Sequence, residues 1–129
     1  ETGTEQLILK ELHMQTEASL RQELLRVCHL LYRQGLVAGF TGSLSVRLSE
    51  NEILCTTSRV HKGLITDEDL LIIDMAGNQL RGEGNIPVEA SMHLACYQSR
   101  SDIQAIVHAH ALKKMMEPQR APKISVNQR

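Results

Sequence analysis

The sequence predicts a mixed α/β fold in which a mainly antiparallel sheet is layered against helices. Two stretches with apolar residues at helical spacing lie before and after a group of short apolar segments. Turn-forming residues separate these short segments, as expected for strands that pair antiparallel with their neighbours. With 129 residues and 42% hydrophobic content, the chain is long enough to bury a core, which indicates one domain.

The first predicted helix carries apolar residues three and four positions apart, which places them on one face. These residues are Leu20, Leu24, Val27 and Leu31. Thr16 is suited to cap the start of the helix, as an alternative to Ser19 paired with Gln22. Gly35 is suited to end it. Residues 1–15 show only weak helical periodicity and are expected to form an N-terminal arm.

The predicted strands follow a glycine-rich loop over residues 39–45. They cover residues 44–48, 53–56, 70–74, 79–80 and 103–108. Glu50 and Asn51 are expected to turn the first strand into the second. Thr66 is expected to cap a single helical turn before the third strand.

The second predicted helix begins with Pro87 at its first position and runs to about Arg100. Its apolar side is expected to consist of Val88, Met92 and Cys96, flanked by Leu94 and Ala95. Glu89 and His93 are four residues apart and would share a face. Each also has a structural interpretation: Glu89 suits the helix dipole in the first turn, and His93 suits a partly buried position. For His93 the structural interpretation is favoured.

A short apolar segment ends in two histidines, Ile106-Val-His-Ala-His110. In an extended chain, residues two positions apart point to the same side, so His108 and His110 would present both imidazoles to one face. Two neutral imidazoles on one face suit Zn²⁺ or a similar divalent ion. The alternative is a strand that ends at the surface with two solvated histidines.

The composition argues against several classes of partner and compartment. A net charge of −1 and only three aromatic residues disfavour binding to nucleic acid or to an anionic membrane. The three cysteines are far apart in apolar sequence, which favours buried thiols in a reducing compartment. The chain has no apolar run of 18 residues and begins with a polar segment, so we expect a cytoplasmic protein.

Six segments stand in the order found in a known family. They are residues 35–45, Cys55-Thr-Thr-Ser-Arg59, Ile65-Thr-Asp-Glu-Asp-Leu-Leu-Ile-Ile-Asp74, Pro87-Val-Glu89, His93-Leu-Ala-Cys-Tyr-Gln-Ser-Arg100 and Ile106-Val-His-Ala-His110. In this order they resemble the class II aldolase/adducin family, typified by fuculose phosphate aldolase and ribulose phosphate epimerase. The resemblance implies a three-layer α/β fold with a mainly antiparallel central sheet flanked by helices.

The resemblance also implies a site and an activity. Glu89 corresponds to the catalytic acid/base, and His108 and His110 correspond to two of three histidine ligands of a divalent metal, usually zinc. The implied substrate-binding residues are Gly42, Ser43, Thr57, Ser58 and Arg59. The implied activity is that of a metal-dependent lyase, an aldolase or an epimerase, acting on a small sugar-like hydroxyketone or aldehyde. The family further implies a homo-oligomer, a tetramer.

The sequence departs from the family pattern around the substrate. Ser43 replaces a common asparagine, Arg59 replaces a glycine, and Pro87-Val88 replaces two serines of the phosphate pocket. A carboxylate-ended or an uncharged hydroxyketone suits this altered pocket as well as a phosphate does. Arg59 would restore phosphate binding if its guanidinium replaced the lost hydroxyls.

The sequence after Ala111 does not resemble the rest of the family domain, and no histidine follows His110 as a third ligand. We expect a family-type domain over 16–111 and a basic tail over 112–129, which is partly disordered or follows an omitted segment. The alternative functions are a non-catalytic interaction module of the adducin-head kind and a truncated homologue.

Overall fold

The computed structural model describes residues 16–109 of the chain. Helix α1 spans Glu17–Arg33 and helix α2 spans Ala90–Ser99. The strands are β1 Ser43–Ser49, β2 Glu52–Thr56, β3 Leu70–Asp74, β4 Gln79–Arg81 and β5 Ala105–His108, and a 3₁₀ turn covers Asp67–Asp69. The expected N-terminal arm, His110 and the expected basic tail lie outside the described residues.

The five strands form one antiparallel sheet in the order β4-β3-β2-β1-β5. Strands β1 and β2 form the predicted hairpin, with Glu50 and Asn51 between them. Strand β5 pairs with the other side of β1, so that His108 lies opposite Ser43. This pairing brings the strand with the predicted metal ligand against the end of the glycine-rich loop.

The sheet separates two apolar clusters, because successive residues of a strand face opposite sides. The cluster under α1 contains Leu24, Cys28, Leu44, Leu54, Ile65, Leu70 and Ile72. The cluster under α2 contains Ile53, Cys55, Leu71, Ile73, Ala90, Leu94 and Tyr97. The three-layer arrangement of helix, sheet and helix is therefore confirmed.

Helix α1 begins and ends as its sequence predicts. The hydroxyl of Thr16 accepts a hydrogen bond from the backbone N–H of Ser19 at 3.0 Å. Gly35 follows the helix with a φ of 73°, and its N–H donates to the carbonyl of Tyr32. A glycine is suited to this left-handed position because it has no Cβ to clash with the following carbonyl.

Helix α2 differs from its prediction in its start and in its buried face. Residues 87–89 form a turn, and the helix begins at Ala90 with Glu89 as N-cap, so Pro87 is not its first residue. The predicted apolar side is wrong: Val88 is 85% exposed and Met92 is 42% exposed. The buried residues of the helix are instead Ala90, His93, Leu94 and Tyr97. The side chains of His93 and Tyr97 point inward because serine hydroxyls on β1 form hydrogen bonds with them.

The cysteines are free, and two of the three are buried. Burial raises the pKa of Cys28 to about 11 and that of Cys55 to about 12, because an apolar environment disfavours the thiolate. Strand β5 is shorter than predicted, since it begins at Ala105 and not at Ile103. Neither helix in residues 16–109 is both long enough and apolar enough to cross a membrane.

Candidate active site

The glycine-rich loop reaches the end of β5 at Gly42. The backbone of Gly42 has a φ of 83°, and a Cβ added there would lie 2.6 Å from the carbonyl oxygen of His108. A side chain would therefore meet both a left-handed backbone and a backbone atom in its path. Glycine at this position lets the loop pass directly beside the strand that ends in His108.

A pocket of about 310 Å³ opens where three segments meet: the glycine-rich loop, the turn after β2 and the start of α2. Its lining residues are Phe40, Thr41, Gly42, Ser58, Arg59, Pro87, Val88 and Glu89. Four residues that the sequence assigns to the site, Gly42, Ser58, Arg59 and Glu89, thus lie around one cavity. Its volume suits a small molecule.

Glu89 stands at the N-cap of α2, with its backbone carbonyl accepting hydrogen bonds from Met92 and His93. Its side chain is half-buried, lines the pocket and makes no capping hydrogen bond to the helix. The carboxylate of Glu89 is therefore not used to cap the helix. It lies where the partial positive charge of a helix N-terminus favours an anion.

Lys62, three residues after Arg59, is a fully buried lysine. Its backbone N–H donates to the carbonyl of Gly39 at 2.8 Å, and its Nζ donates to the carbonyl of Val60 at 3.1 Å. Burial lowers the pKa of Lys62, while the nearby Cys28 and Glu89 oppose that shift. Lys62 thus connects the glycine-rich loop to the turn that carries Arg59, and its amine lies near Glu89.

A buried polar network joins α2 to β1. Ser43 Oγ lies 2.9 Å from Nε2 of His93, Ser45 Oγ lies 2.6 Å from Nδ1 of His93, and Ser45 Oγ lies 2.8 Å from the hydroxyl of Tyr97. A neutral imidazole has one donor and one acceptor nitrogen, so one serine donates to His93 and the other accepts from it. His93 is therefore a satisfied buried histidine, as the favoured interpretation predicts.

The network adjoins the end of β5. Ile106 packs on the α2 side of the sheet, and His108, two residues on, faces the same side. Burial lowers the pKa of His93, the proximity of His108 lowers it further, and Glu89 acts in the opposite direction. His108 and Glu89 therefore both lie near enough to His93 to influence its pKa.

The donor set is compatible with a divalent metal, although it is incomplete in the described part of the chain. His108 offers an imidazole on the side of the sheet where Glu89 lies, and His110 falls outside the described residues. Within residues 16–109, no three His, Cys, Asp or Glu side chains are arranged to hold a metal ion. The metal ligands proposed from the sequence stay a prediction.

Comparison with known proteins shows which family this is. Residues 22–117 match the Class II Aldolase and Adducin N-terminal domain. The chain belongs to this family.

Several class II aldolase relatives are similar over most of this chain. An L-fuculose phosphate aldolase of Methanococcus maripaludis is 37% identical over 90 residues, which are 70% of this chain and 48% of the relative. A methylthioribulose-1-phosphate dehydratase of Azotobacter vinelandii is 33% identical over 97 residues, 75% of this chain and 47% of the relative. A solved L-fuculose 1-phosphate aldolase has a TM-score of 0.69 and 35% identity, over 78% of this chain and 47% of that one. The chain spans about half the length of the relatives it matches.

Two expected substrate-binding residues of this class II aldolase domain lie away from the pocket lining. Ser43 is 1% exposed, and its hydroxyl is bonded to His93. Thr57 is 8% exposed and lines a second cavity, which also includes Asp69 and Gly84. Their roles in substrate binding stay predictions.

Some residues around the site could not be assigned to it from the sequence. Phe40, Thr41 and Val88 line the pocket through their place in the fold. Lys62 lies in a polar stretch where a solvated lysine is the ordinary expectation. Tyr97 would have been found only by placing it on one face with His93, four residues before it.

Proposed function

We propose that this class II aldolase domain belongs to a metal-dependent lyase that breaks or forms a carbon–carbon bond in a small sugar-like hydroxyketone. The observation that carries this proposal is the placement of Glu89 in one pocket with Gly42, Ser58 and Arg59, beside the end of β5. A free carboxylate in a small pocket is the group that such a reaction needs to move a proton.

Glu89 is the proposed acid/base. Its carboxylate takes a proton from the carbon next to the substrate carbonyl, or returns one, and helix α2 holds it at the pocket wall. Gly42, Ser58 and Arg59 surround the substrate, and the roles of Ser43 and Thr57 in binding it are proposed on the resemblance alone.

His108 and His110 are the proposed ligands of the metal ion, which we propose to be zinc. A bound divalent cation supplies Lewis acidity toward the substrate oxygens and so stabilises negative charge beside the carbonyl. His108 ends β5, and its backbone carbonyl lies beside Gly42, which lines the pocket; this supports the proposal. The chain itself would orient the substrate between these histidines and Glu89.

The names of the relatives support chemistry beside a carbonyl. One relative is called an aldolase of L-fuculose phosphate and another a dehydratase of methylthioribulose-1-phosphate. In general, aldol cleavage and dehydration of a ketose both require proton transfer on atoms close to the carbonyl. We therefore propose carbohydrate metabolism as the setting and leave an epimerase within the same proposal.

Exchange of substrate protons with D₂O tests the function without knowledge of the full substrate. We expect the protein to accelerate exchange of the protons next to the carbonyl of dihydroxyacetone or of its phosphate ester, measured by proton NMR. EDTA should suppress this exchange, and added Zn²⁺ should restore it. Absence of acceleration with both compounds and added Zn²⁺ would contradict the proposal.

We also propose a homo-oligomer, a tetramer, in the cytoplasm. The resemblance suggests the tetramer, and exposed apolar side chains around the pocket support it: Phe40 is 61% exposed and Val88 is 85% exposed. The three free cysteines support a reducing compartment. Light scattering at micromolar concentration should give a multiple of 14.4 kDa. A monomeric mass that stays constant on tenfold concentration would rule out the oligomer.

A further inference from the structure

The cavity that Thr57 lines is distinct from the substrate pocket and larger, with a volume of about 510 Å³. We call it the second cavity. It lies between helix α1, the 3₁₀ turn and the loop that follows β4, and among residues 16–109 it shares no lining residue with the substrate pocket. A small molecule therefore has room here without occupying the site of the proposed reaction.

The lining of the second cavity is acidic. The 3₁₀ turn Asp67–Asp69 contributes three carboxylates, and Glu83 contributes a fourth. Arg21 also lines the cavity, but its guanidinium is already paired with Glu17 at 3.0 Å and with Asp67 at 3.1 Å. With one cation against four carboxylates, the lining has a formal net charge of −3. It therefore attracts cations and repels anions such as a phosphate ester.

The carboxylate of Glu83 is not used by the fold. Glu17 and Glu23 each pair with an arginine. In the described part of the chain, by contrast, the side chain of Glu83 makes no ion pair and accepts no hydrogen bond. Glu83 is also exposed, so its carboxylate can reach a ligand in the cavity that it lines.

Thr57 gives an independent indication of a ligand, because it is a buried polar side chain without a partner. It is 8% exposed, and a Cβ added to Gly84 would lie 3.0 Å from its methyl carbon, so the loop after β4 covers the methyl group. The hydroxyl forms no hydrogen bond within residues 16–109. No hydroxyl in that range is both enclosed and unpartnered, so this one opens into the second cavity. A hydroxyl at this depth ordinarily has a partner.

The second cavity suits an organic cation better than a metal ion. Within residues 16–109, no three His, Cys, Asp or Glu side chains are arranged to hold a metal ion. An ammonium group does not need such an arrangement, because each of its three N–H donors binds a single oxygen. The Thr57 hydroxyl and the Glu83 carboxylate both offer such oxygens. The excess of three negative charges favours a ligand with more than one ammonium group.

We propose that the second cavity binds a small aliphatic diamine or polyamine through the hydroxyl of Thr57 and the carboxylate of Glu83. One ammonium group donates to the hydroxyl, where burial strengthens the charge-assisted hydrogen bond, and the acidic lining stabilises the remaining positive charge. This site goes beyond the proposed lyase activity, since neither Glu89 nor the proposed metal ligands line it.

The test is calorimetric titration of the full chain with 1,4-diaminobutane, with 1,4-butanediol as its uncharged analogue, and with Ca²⁺. We expect one diamine per chain and no binding of the diol. Thr57→Val keeps the shape of the side chain and removes the hydroxyl, so it should weaken the diamine about tenfold, whereas Thr57→Ser should retain binding. Glu83→Gln should weaken the diamine about two- to fivefold, because the lost charge is exposed. Glu50→Gln, an exposed change in the turn between β1 and β2, should bind as the wild type does.

Thermal unfolding separates a loss of binding from a loss of folding. The diamine should raise the Tm of the wild type and of Thr57→Ser more than that of Thr57→Val. If Thr57→Val does not fold, the comparison of Glu83→Gln with Glu50→Gln decides. The proposal fails if the wild type binds no diamine or binds the diol equally well, or if Ca²⁺ binds more tightly and displaces the diamine. It also fails if Glu83→Gln keeps full affinity, if Glu50→Gln loses as much, or if folded Thr57→Val and Thr57→Ser bind alike.

Glu89→Gln distinguishes this proposal from the proposed function. This variant should bind the diamine as the wild type does, because Glu89 lines the other pocket. Diamine binding without any proton exchange would refute the proposed function alone. Proton exchange without diamine binding would refute the second site alone.

Discussion

Glu89→Gln is expected to slow proton exchange of the hydroxyketone by about 10²–10⁴-fold, the usual contribution of a positioned acid or base. The amide keeps the size of the side chain but cannot accept the proton. Folding should change little, because the carboxylate makes no capping hydrogen bond and a charge near a helix N-terminus contributes only about 0.3–1 kcal/mol. Proton NMR and thermal unfolding measure the two effects.

Glu68→Gln is the matched control for this change. Glu68 is an exposed residue of the 3₁₀ turn, so its substitution removes the same charge away from the pocket. Exchange in this variant should equal that of the wild type. The assignment of Glu89 would be wrong if Glu89→Gln unfolded at a much lower temperature and still catalysed exchange.

Gly42→Ala is expected to damage both stability and the site. The added Cβ would meet the His108 carbonyl at 2.6 Å, and the backbone at φ 83° disfavours any side chain. Overpacking of this kind costs about 1–3 kcal/mol when the backbone must shift. Because the atom that must move belongs to His108, exchange and metal binding should fall together. Denaturant titration gives the loss in free energy of unfolding.

Gly35→Ala separates the effect of a left-handed backbone from the effect of a steric clash. Gly35 also has a positive φ, 73°, but a Cβ there would have nothing within 4 Å. This variant should lose less stability than Gly42→Ala and should keep its exchange activity. Equal losses in both variants would show that the contact between Gly42 and His108 has no special role.

The elements with strong local patterns were predictable from the sequence. Alternating residues in the hairpin indicated β1 and β2, because one set faces α1 and the other faces α2. The capping threonines and Gly35 indicated the limits of the first helix and of the 3₁₀ turn, because these residues satisfy or end backbone hydrogen bonding locally. Each of these features depends on residues near one another in the chain.

The buried face of α2 was not predictable from apolar spacing. His93 and Tyr97 point inward because Ser43 and Ser45 on β1, some 50 residues earlier, supply their hydrogen bonds. Burying these polar groups without partners would be costly. A pattern that counts only apolar residues therefore chose Val88 and Met92, which are exposed.

The candidate site was predictable as a set of segments, but its geometry was not. The ordered motifs identified Gly42, Ser58, Arg59 and Glu89, which the fold brings to one pocket. Lys62 was missed because only tertiary structure shows that this lysine is fully buried and bonded to the carbonyl of Val60. The left-handed backbone of Arg59, with a φ of 60°, was missed for the same reason, since Asn85, which accepts from the N–H of Ser58, is distant in sequence.

The metal content of the purified protein tests the central claim most directly. We expect about one divalent ion per chain in the wild type by atomic emission spectroscopy, and loss of that ion in His108→Ala and His110→Ala. His29→Gln is the control, because the His29 side chain contacts the carbonyl of Ile65 at 2.9 Å and an amide can replace that contact. Metal retained in both alanine variants would contradict the assignment of His108 and His110 as ligands. Metal absent from a wild type purified with added Zn²⁺ would contradict a metal-dependent enzyme and favour a non-catalytic interaction module.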